Sequence, residues 1–488
     1  MRQYLNTDGS VIAIGDPDDG QLDDYQRFIE GKHIRADLTG FTAGDRMPER
    51  AFEWQKRIIR WACLRGRAAL FLDVGLGKTI CQLAWADQVV RYAKGDVLIL
   101  CPLAVAKQTQ REGIKFGIAT TVCRKQADVR PGINIANYEM LSHFDPSKFV
   151  GIVLDEASIL KNFTGATKEL IIASFRDTPY KLECSATPAP NDHLELGNHA
   201  EFLGVMPSNE MISRWFINDT MKAGGYRLKG HAAKDFWKWV ASWAVSIKKP
   251  SDIGGSDEGY NLPELRIHEI IVDVDVREGA AEGFLFREAA LTATTMHKEL
   301  KRTVQARANA VNRILEANGA GPWLIWCHTN YESDALKEYV KGATEIRGDD
   351  KMERKEQAAM DFVDGKIERF VSKPKIFGSG LNFQACHKMI FTGLNFSWES
   401  MYQAIGRCWR FGQNMPVDCY IVRATTEGEI IRKIREKEAA HQVMQVAMVE
   451  AMREETMKQI GVKRKLRIDA GGMEMVLPNW LRSENGGV

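Results

Sequence analysis

The chain predicts an α/β fold of two tandem, doubly wound parallel-sheet lobes, with a helical insert between them and short terminal extensions. Three observations carry that expectation. A length of 488 residues is too great for one core, since domains run to about 100–200 residues. Short apolar runs alternate with helical stretches in two separate series, the pattern of parallel strands joined by crossover helices. Many of these runs end at polar or glycine-rich residues, where open parallel sheets collect their ligands.

Residues 1–50 hold ten acidic and six basic residues, net −4, with little periodicity, and read as an N-terminal appendage. The first lobe, 51–192, opens with a helix (FEWQKRIIRWACL), a strand (AALFL), the loop GLGKT and a second helix (ICQLAWADQVVRYA). The strand VLILCP follows, then the runs INIAN, GIVLDE and YKLECSAT. Residues 193–262 read as a helical insert and linker. Within it, 214–249 carry eight Lys/Arg against two Asp, net +6, interleaved with Trp215, Trp237, Trp239 and Trp243. Large aromatics in helical patterns pack inward, so the tryptophans are expected to form a small core. The lysines divide between a solvated face and a grip on a polyanion. SDIGGSDEGYNLPE is a linker or surface loop. The second lobe, 263–450, contains WLIWCH, FVSKPK, KMIFTG and VDCYIV and closes on a long charged helix pattern from Glu427. Residues 451–488 form a tail whose KRKLR segment reads as a solvated run.

With 44% hydrophobic and 27% charged residues, the composition is that of a soluble globular protein. Net charge is +2, so any nucleic-acid surface must be a local patch. No apolar run approaches the ~18 residues of a membrane span, and MRQYLNTDGS lacks a signal peptide's apolar stretch. The nine cysteines never form C-x-x-C, which predicts buried reduced thiols rather than a zinc site, and a cytoplasmic location.

The chemistry-bearing residues fall at strand ends. GLGKT follows a strand and opens a helix, so the backbone of Gly75, Leu76 and Gly77 can wrap phosphates. Lys78 would then reach the β/γ-phosphates, and Thr79 would bind Mg²⁺. Leu72 stands where the full phosphate-loop pattern has its first glycine; the plain alternative is an ordinary strand–helix turn. Asp155 and Glu156 end GIVLDE, 77 residues past Lys78, and suit a metal-holding Asp and a water-activating Glu. Solvated acids often end strands, but the order of the two motifs argues for function. Ser185 and Thr187, in SATP, are placed to sense a γ-phosphate and couple its loss to the fold; alone, that string is only a turn. In QAIGRCWRFGQ, Arg407 and Arg410 lie three apart, so on a helix they would share a face as arginine fingers. Each lobe thus supplies half of one nucleotide site.

Together GLGKT, DEAS with Lys161 following, SATPAPN and QAIGRCWRFGQ resemble helicase superfamily two, and within it the Swi/Snf-type DNA-dependent ATPases. CPLAVAKQTQRE, NYEML and GSGLN match further motifs of that family, and the resemblance covers about residues 50–440. The short insert is most similar to bacteriophage members, which would place the protein in the host cytoplasm. The resemblance implies two RecA-like lobes with ATP and Mg²⁺ between them. It gives Gln55 the adenine-reading position, adds Gly380 to the nucleotide site and adds Gln403 to the catalytic set of Lys78, Asp155, Glu156, Arg407 and Arg410. Pro102, Lys107, Asn137, Thr329, Asn382 and Trp398 match strand-contacting motifs. Double-stranded DNA is the implied partner, with single-stranded DNA the alternative. Three positions depart from the pattern: Ser158 for the histidine of the commoner box, Lys375 for an arginine, and Trp398-Glu399-Ser400 for Trp-Asn-Pro. The implied activity is ATP-driven translocation on duplex DNA. Strand separation of DNA or RNA and an ATP-switched DNA-binding module are the rivals.

Overall fold

A computed structural model describes residues 2–5, 11–14, 36–102, 105–161, 165–189, 192–219, 225–274, 293–378, 381–395 and 397–460. Gly380 and the KRKLR segment lie outside these residues.

The first sheet is formed by β1 (Arg67–Leu72), β2 (Asp96–Cys101), β3 (Thr120–Val122), β4 (Ile133–Asn137), β5 (Phe149–Asp155), β6 (Tyr180–Ser185) and β7 (Ala244–Ile247). Its spatial order is β7-β1-β6-β5-β2-β4-β3, and every pairing is parallel. The second is formed by β8 (Leu265–Val272), β9 (Trp323–Trp326), β10 (Ala343–Glu345), β11 (Arg369–Ser372), β12 (Lys388–Phe391) and β13 (Val417–Ala424). It runs β8-β13-β12-β9-β11-β10, again parallel throughout. Successive side chains of a strand point to opposite faces, and along the central strands of both sheets both faces are buried, whereas the edge strand β8 leaves Ile267 and Ile271 exposed. Along β1, Ala68, Leu70 and Leu72 enter one apolar cluster while Ala69 and Phe71 enter the other. Leu324 and Trp326 of β9 likewise oppose Trp323 and Ile325. All nine cysteines are buried and unpaired.

Two regions depart from the sequence expectation. The insert is not wholly helical. After a short hairpin (Phe216–Asp219 with Gly225–Leu228) and the helix α4 (Ala233–Ala241), β7 joins the first sheet beside β1. AVSI is a four-residue apolar run, which periodicity cannot distinguish from a piece of buried helix. Trp215, Trp237, Trp239 and Trp243 are buried, Trp215 stacking on Trp239 at 4.7 Å. The second departure is at the end of the chain. The helix α7 (Gly428–Gln459) runs past 450 and returns to the first lobe. Met448 and Met452 bury in the same cluster as Trp239, and the Gln459 Oε1 accepts from Trp61 Nε1 and Arg65 Nη2 at 3.1 and 2.8 Å.

Candidate active site between the lobes

The loop after β1 leads into α2 (Lys78–Ala93) with Gly77 as its N-terminal cap. Gly75 and Gly77 take φ of +87° and +76°, which favours glycine. Their missing side chains also permit close approach. A Cβ on Gly75 would lie 2.9 Å from the Phe411 backbone nitrogen of the second lobe, and one on Gly77 would lie 2.5 Å from Gln55 Nε2. Lys78 Nζ donates to the Leu72 carbonyl at 2.9 Å. Burial lowers its pKa, and the carboxylates of Glu156 and Asp73 oppose that.

One helical turn into α2, Gln82 Nε2 donates to Asp155 Oδ1 at 2.7 Å, aiming the carboxylate at the end of β5. Glu156 follows with φ +60°, a left-handed conformation costing a non-glycine residue about 1–3 kcal/mol. Its surroundings hold it there. Oε1 accepts from Ser185 Oγ at 3.2 Å, Ser158 Oγ at 3.5 Å and Gln403 Nε2 at 3.4 Å. Burial raises the pKa of both Asp155 and Glu156. Lys78 and Arg407 pull both back down.

Gln403 belongs to α6 (Trp398–Ile405) of the second lobe. This helix ends before the two arginines, so the expected shared helical face is corrected: Arg407 and Arg410 stand in turns beyond it. A carbonyl gathers them instead. Both guanidiniums donate to Leu381 O, at 3.0 and 3.1 Å, and Arg407 Nε also donates to Gln403 O at 2.8 Å. Burial lowers the pKa of Arg407; burial and the Arg407 charge bring Arg410 down to about 10, which leaves it cationic at neutral pH. Lys78, Thr79, Asp155, Glu156, Arg407 and Arg410 line one cavity across the lobe boundary.

A cavity of about 310 Å³ shares Gly75, Gly77, Thr79 and Arg410 with that charged end. Gln55, in α1 (Glu53–Arg65), lines it. Its Oε1 accepts from Phe52 N at 3.0 Å and its Nε2 donates to Leu76 O at 3.0 Å, leaving one N–H and one lone pair free in the amide's inventory. Phe52, Tyr260 and Phe411 form an aromatic wall, the last two with centroids 4.8 Å apart. Tyr260 and Phe411 were not singled out in the sequence, although Phe411 lies inside the arginine-bearing run. Gln82 was also missed; its place four residues after Lys78, on the face of α2 that Lys78 presents, was the available signal.

The strand-contacting candidates separate into groups. Asn137 Nδ2 donates to Pro102 O at 3.3 Å, where β2 and β4 end. Lys107, in α3 (Ala106–Lys115), pairs with Glu356 of α5 (Met352–Val363) across the cleft at 2.9 Å. Asn382 N donates to Gln108 Oε1 at 2.9 Å, also across the cleft. Thr329 caps the helix Asn330–Tyr339, its hydroxyl accepting from Glu332 N. Trp398 does not present an open face: it is buried and stacks on Tyr402 at 4.9 Å, while its neighbours Glu399 and Ser400 are half-buried. Beneath the SATP turn, His199 Nε2 lies 2.8 Å from Pro188 O and Nδ1 lies 3.0 Å from Glu183 Oε2. Against the cost of burial, the nearby Glu183 carboxyl and the Pro188 carbonyl favour the charged ring, and the pKa of His199 is raised.

Residues 306–412 match the helicase conserved C-terminal domain family. The chain is 23% identical over 415 residues to a SWI/SNF-related matrix-associated actin-dependent regulator of chromatin subfamily A-like protein 1 of Drosophila melanogaster, covering 75% of this chain and 52% of the relative. It is 23% identical over 428 residues to the uncharacterized ATP-dependent helicase YqhH of Bacillus subtilis, covering 77% and 75%. The chain thus spans about half the length of the fly relative. With two parallel-sheet lobes around one cleft, the second matching the helicase conserved C-terminal domain family, the chain is similar to ATP-dependent helicases. The fly relative and the QAIGRCWRFGQ run together make the similarity one to SWI/SNF-related proteins.

Proposed function

We propose that this protein hydrolyses ATP in the interlobe cleft and uses the cycle to move along double-stranded DNA. The observation that carries the proposal is the meeting of Lys78, Asp155 and Glu156 of one lobe with Arg407 and Arg410 of the other around one cavity. The glycine loop fits a triphosphate: its two left-handed glycines open a backbone cradle at a helix N-terminus, with a lysine at the first helical position. Thr79 and Asp155 are the residues that would hold Mg²⁺, which when bound neutralises phosphate charge. Glu156 takes the proton of the attacking water. The water oxygen bonds to the γ-phosphorus as the bridging oxygen leaves with ADP. Arg407 and Arg410 stabilise the charge that builds on the transferring group.

Both arginines come from the second lobe, so the site is complete only when the lobes are together. Hydrolysis then biases a two-state hinge. The charged rim around Lys107 and the Pro102–Asn137 pair supports phosphate contact by the first lobe, a mode indifferent to sequence and sensitive to salt.

The test is ATP hydrolysis by the wild type and Lys78→Ala, each alone and with duplex DNA, single-stranded DNA or RNA. Stimulation by duplex that Lys78→Ala abolishes is the expected result, followed by displacement of a triplex-forming strand. Stimulation by single strands or RNA alone would replace translocation with unwinding. Hydrolysis indifferent to all three would leave only a switch.

A further inference from the structure

The hydrolytic roles above leave Glu399 unassigned, yet it bridges the lobes at the catalytic turn. It stands in the first turn of α6, with its side chain 11% exposed. Both of its oxygens are engaged on lobe one. Oε2 pairs with Lys161 Nζ at 2.7 Å, and Oε1 accepts from Thr187 Oγ1 at 3.0 Å. Lys161 ends the short 3-10 turn that starts directly after Glu156, and Thr187 lies two residues past Ser185, whose hydroxyl also donates to Glu156. Four residues along α6, Gln403 Nε2 faces Glu399 Oε1 at 3.4 Å, Thr187 Oγ1 at 3.3 Å and Glu156 Oε1 at 3.4 Å. The contacts therefore close a ring: Glu156, Ser185, Thr187, Glu399, Lys161 and back along the chain to Glu156.

We infer that Glu399 is a positioning residue that latches the second lobe onto the catalytic turn of the first and sets Gln403 against Glu156. The inference rests on the hydrolytic reading proposed above. Its physical basis is that charge-assisted hydrogen bonds in a partly buried network are stronger and more directional than exposed ones. A second effect accounts for an acid in the first turn of a helix, namely favourable interaction with the helix dipole. That effect concerns α6 alone and involves neither Lys161 nor Thr187. The two roles therefore predict different measurements.

The experiment compares wild type, Glu399→Ala, Glu399→Gln, Lys161→Met and Glu399→Ala/Lys161→Met. Steady-state ATP hydrolysis with saturating duplex DNA is measured alongside thermal unfolding and amide hydrogen exchange of the nucleotide-free protein. For the latch, Glu399→Ala and Lys161→Met each lower kcat about 10- to 100-fold with KM for ATP little changed, and the double variant is no worse than the poorer single. Glu399→Gln, which keeps an oxygen for Thr187 but loses the ion pair, falls between wild type and Glu399→Ala. Exchange rises in both 155–161 and 398–405 for each single variant. Multiplicative losses, or exchange changes confined to α6 with a lowered unfolding temperature, would assign Glu399 to the helix dipole and overturn the latch. If the wild type itself fails to hydrolyse ATP, the hydrolytic reading falls. The exchange data then decide the latch separately: coupled changes in the two segments uphold it, and unchanged exchange in 155–161 overturns it.

Discussion

The two ends of the interlobe cleft are joined by different physics. At the inner end, Gln403 and Glu399 of α6 reach Glu156, Thr187 and Lys161 through directional hydrogen bonds among largely buried groups. At the outer rim the lobes meet through ion pairs: Lys107 with Glu356, Arg111 with Asp364, and Arg124 with Glu353 and Glu356. The basic members are 42–52% exposed. Glu356 itself is buried, but the pairs exposed on both sides, Arg111–Asp364 and Arg124–Glu353, are worth ~0.2–1 kcal/mol each and weaken with salt. The inner network depends on atom placement, whereas the rim depends chiefly on charge. A phosphate can take the place of a rim carboxylate but cannot replace the geometry around Glu156. The rim is thus suited to exchanging partners, and the inner end to deciding whether the lobes are aligned.

The comparison breaks most sharply at the arginines. Arg407→Ala should lower kcat about 10³-fold or more, and Glu156→Gln about 10²- to 10⁴-fold, in phosphate-release assays. A loss confined to KM would show that the inner end only binds nucleotide. Next comes the aromatic wall. Phe411→Ala removes a lobe-two face from the 310 Å³ cavity and should raise KM for ATP about tenfold with kcat retained, as expected for a lost stacking contact. An unchanged KM would move the base elsewhere.

Rim variants should act more gently and through salt. Glu356→Gln frees Lys107, leaves Arg124 with Glu353 alone, and should tighten duplex DNA binding about two- to fivefold at low salt, the gain fading as salt rises. Anisotropy titrations across a salt series would detect it, and a gain independent of salt would refute the phosphate-exchange view. The smallest expected effect is at His199. Burial is the largest single influence and disfavours its charged ring, but Glu183, the Pro188 carbonyl and Glu195 together raise the pKa above the ordinary value. Its stabilising contribution should therefore be full below about pH 6.5, the unfolded value, and vanish as pH rises through the folded one. In urea unfolding, the gap between wild type and His199→Gln should be widest at low pH and narrow as pH rises; a gap that widened would reverse the sign.

What was legible in the sequence was local. GLGKT, GIVLDE and SATP announce themselves because a strand, a turn and the residue at its end lie within a few positions of each other. The two parallel sheets follow from the repeated alternation. Arg407 and Arg410 could be selected by residue type, but their arrangement could not: they share the Leu381 carbonyl from turns rather than a helical face. β7 was hidden because four apolar residues have no distinguishing period, and its partner β1 lies more than 170 residues earlier.

The sequence by itself determined the class of fold, the phosphate loop and the order of the motifs, because each depends on neighbours along the chain. Only the tertiary structure decided that Glu399 meets Thr187 across 212 residues, that Gln403 meets Glu156 across 247, and that α7 returns to pack on the first lobe. Hydrogen bonds and side-chain packing between distant segments leave no periodic trace in the chain. They exist only once two sheets have folded and brought their carboxyl ends face to face.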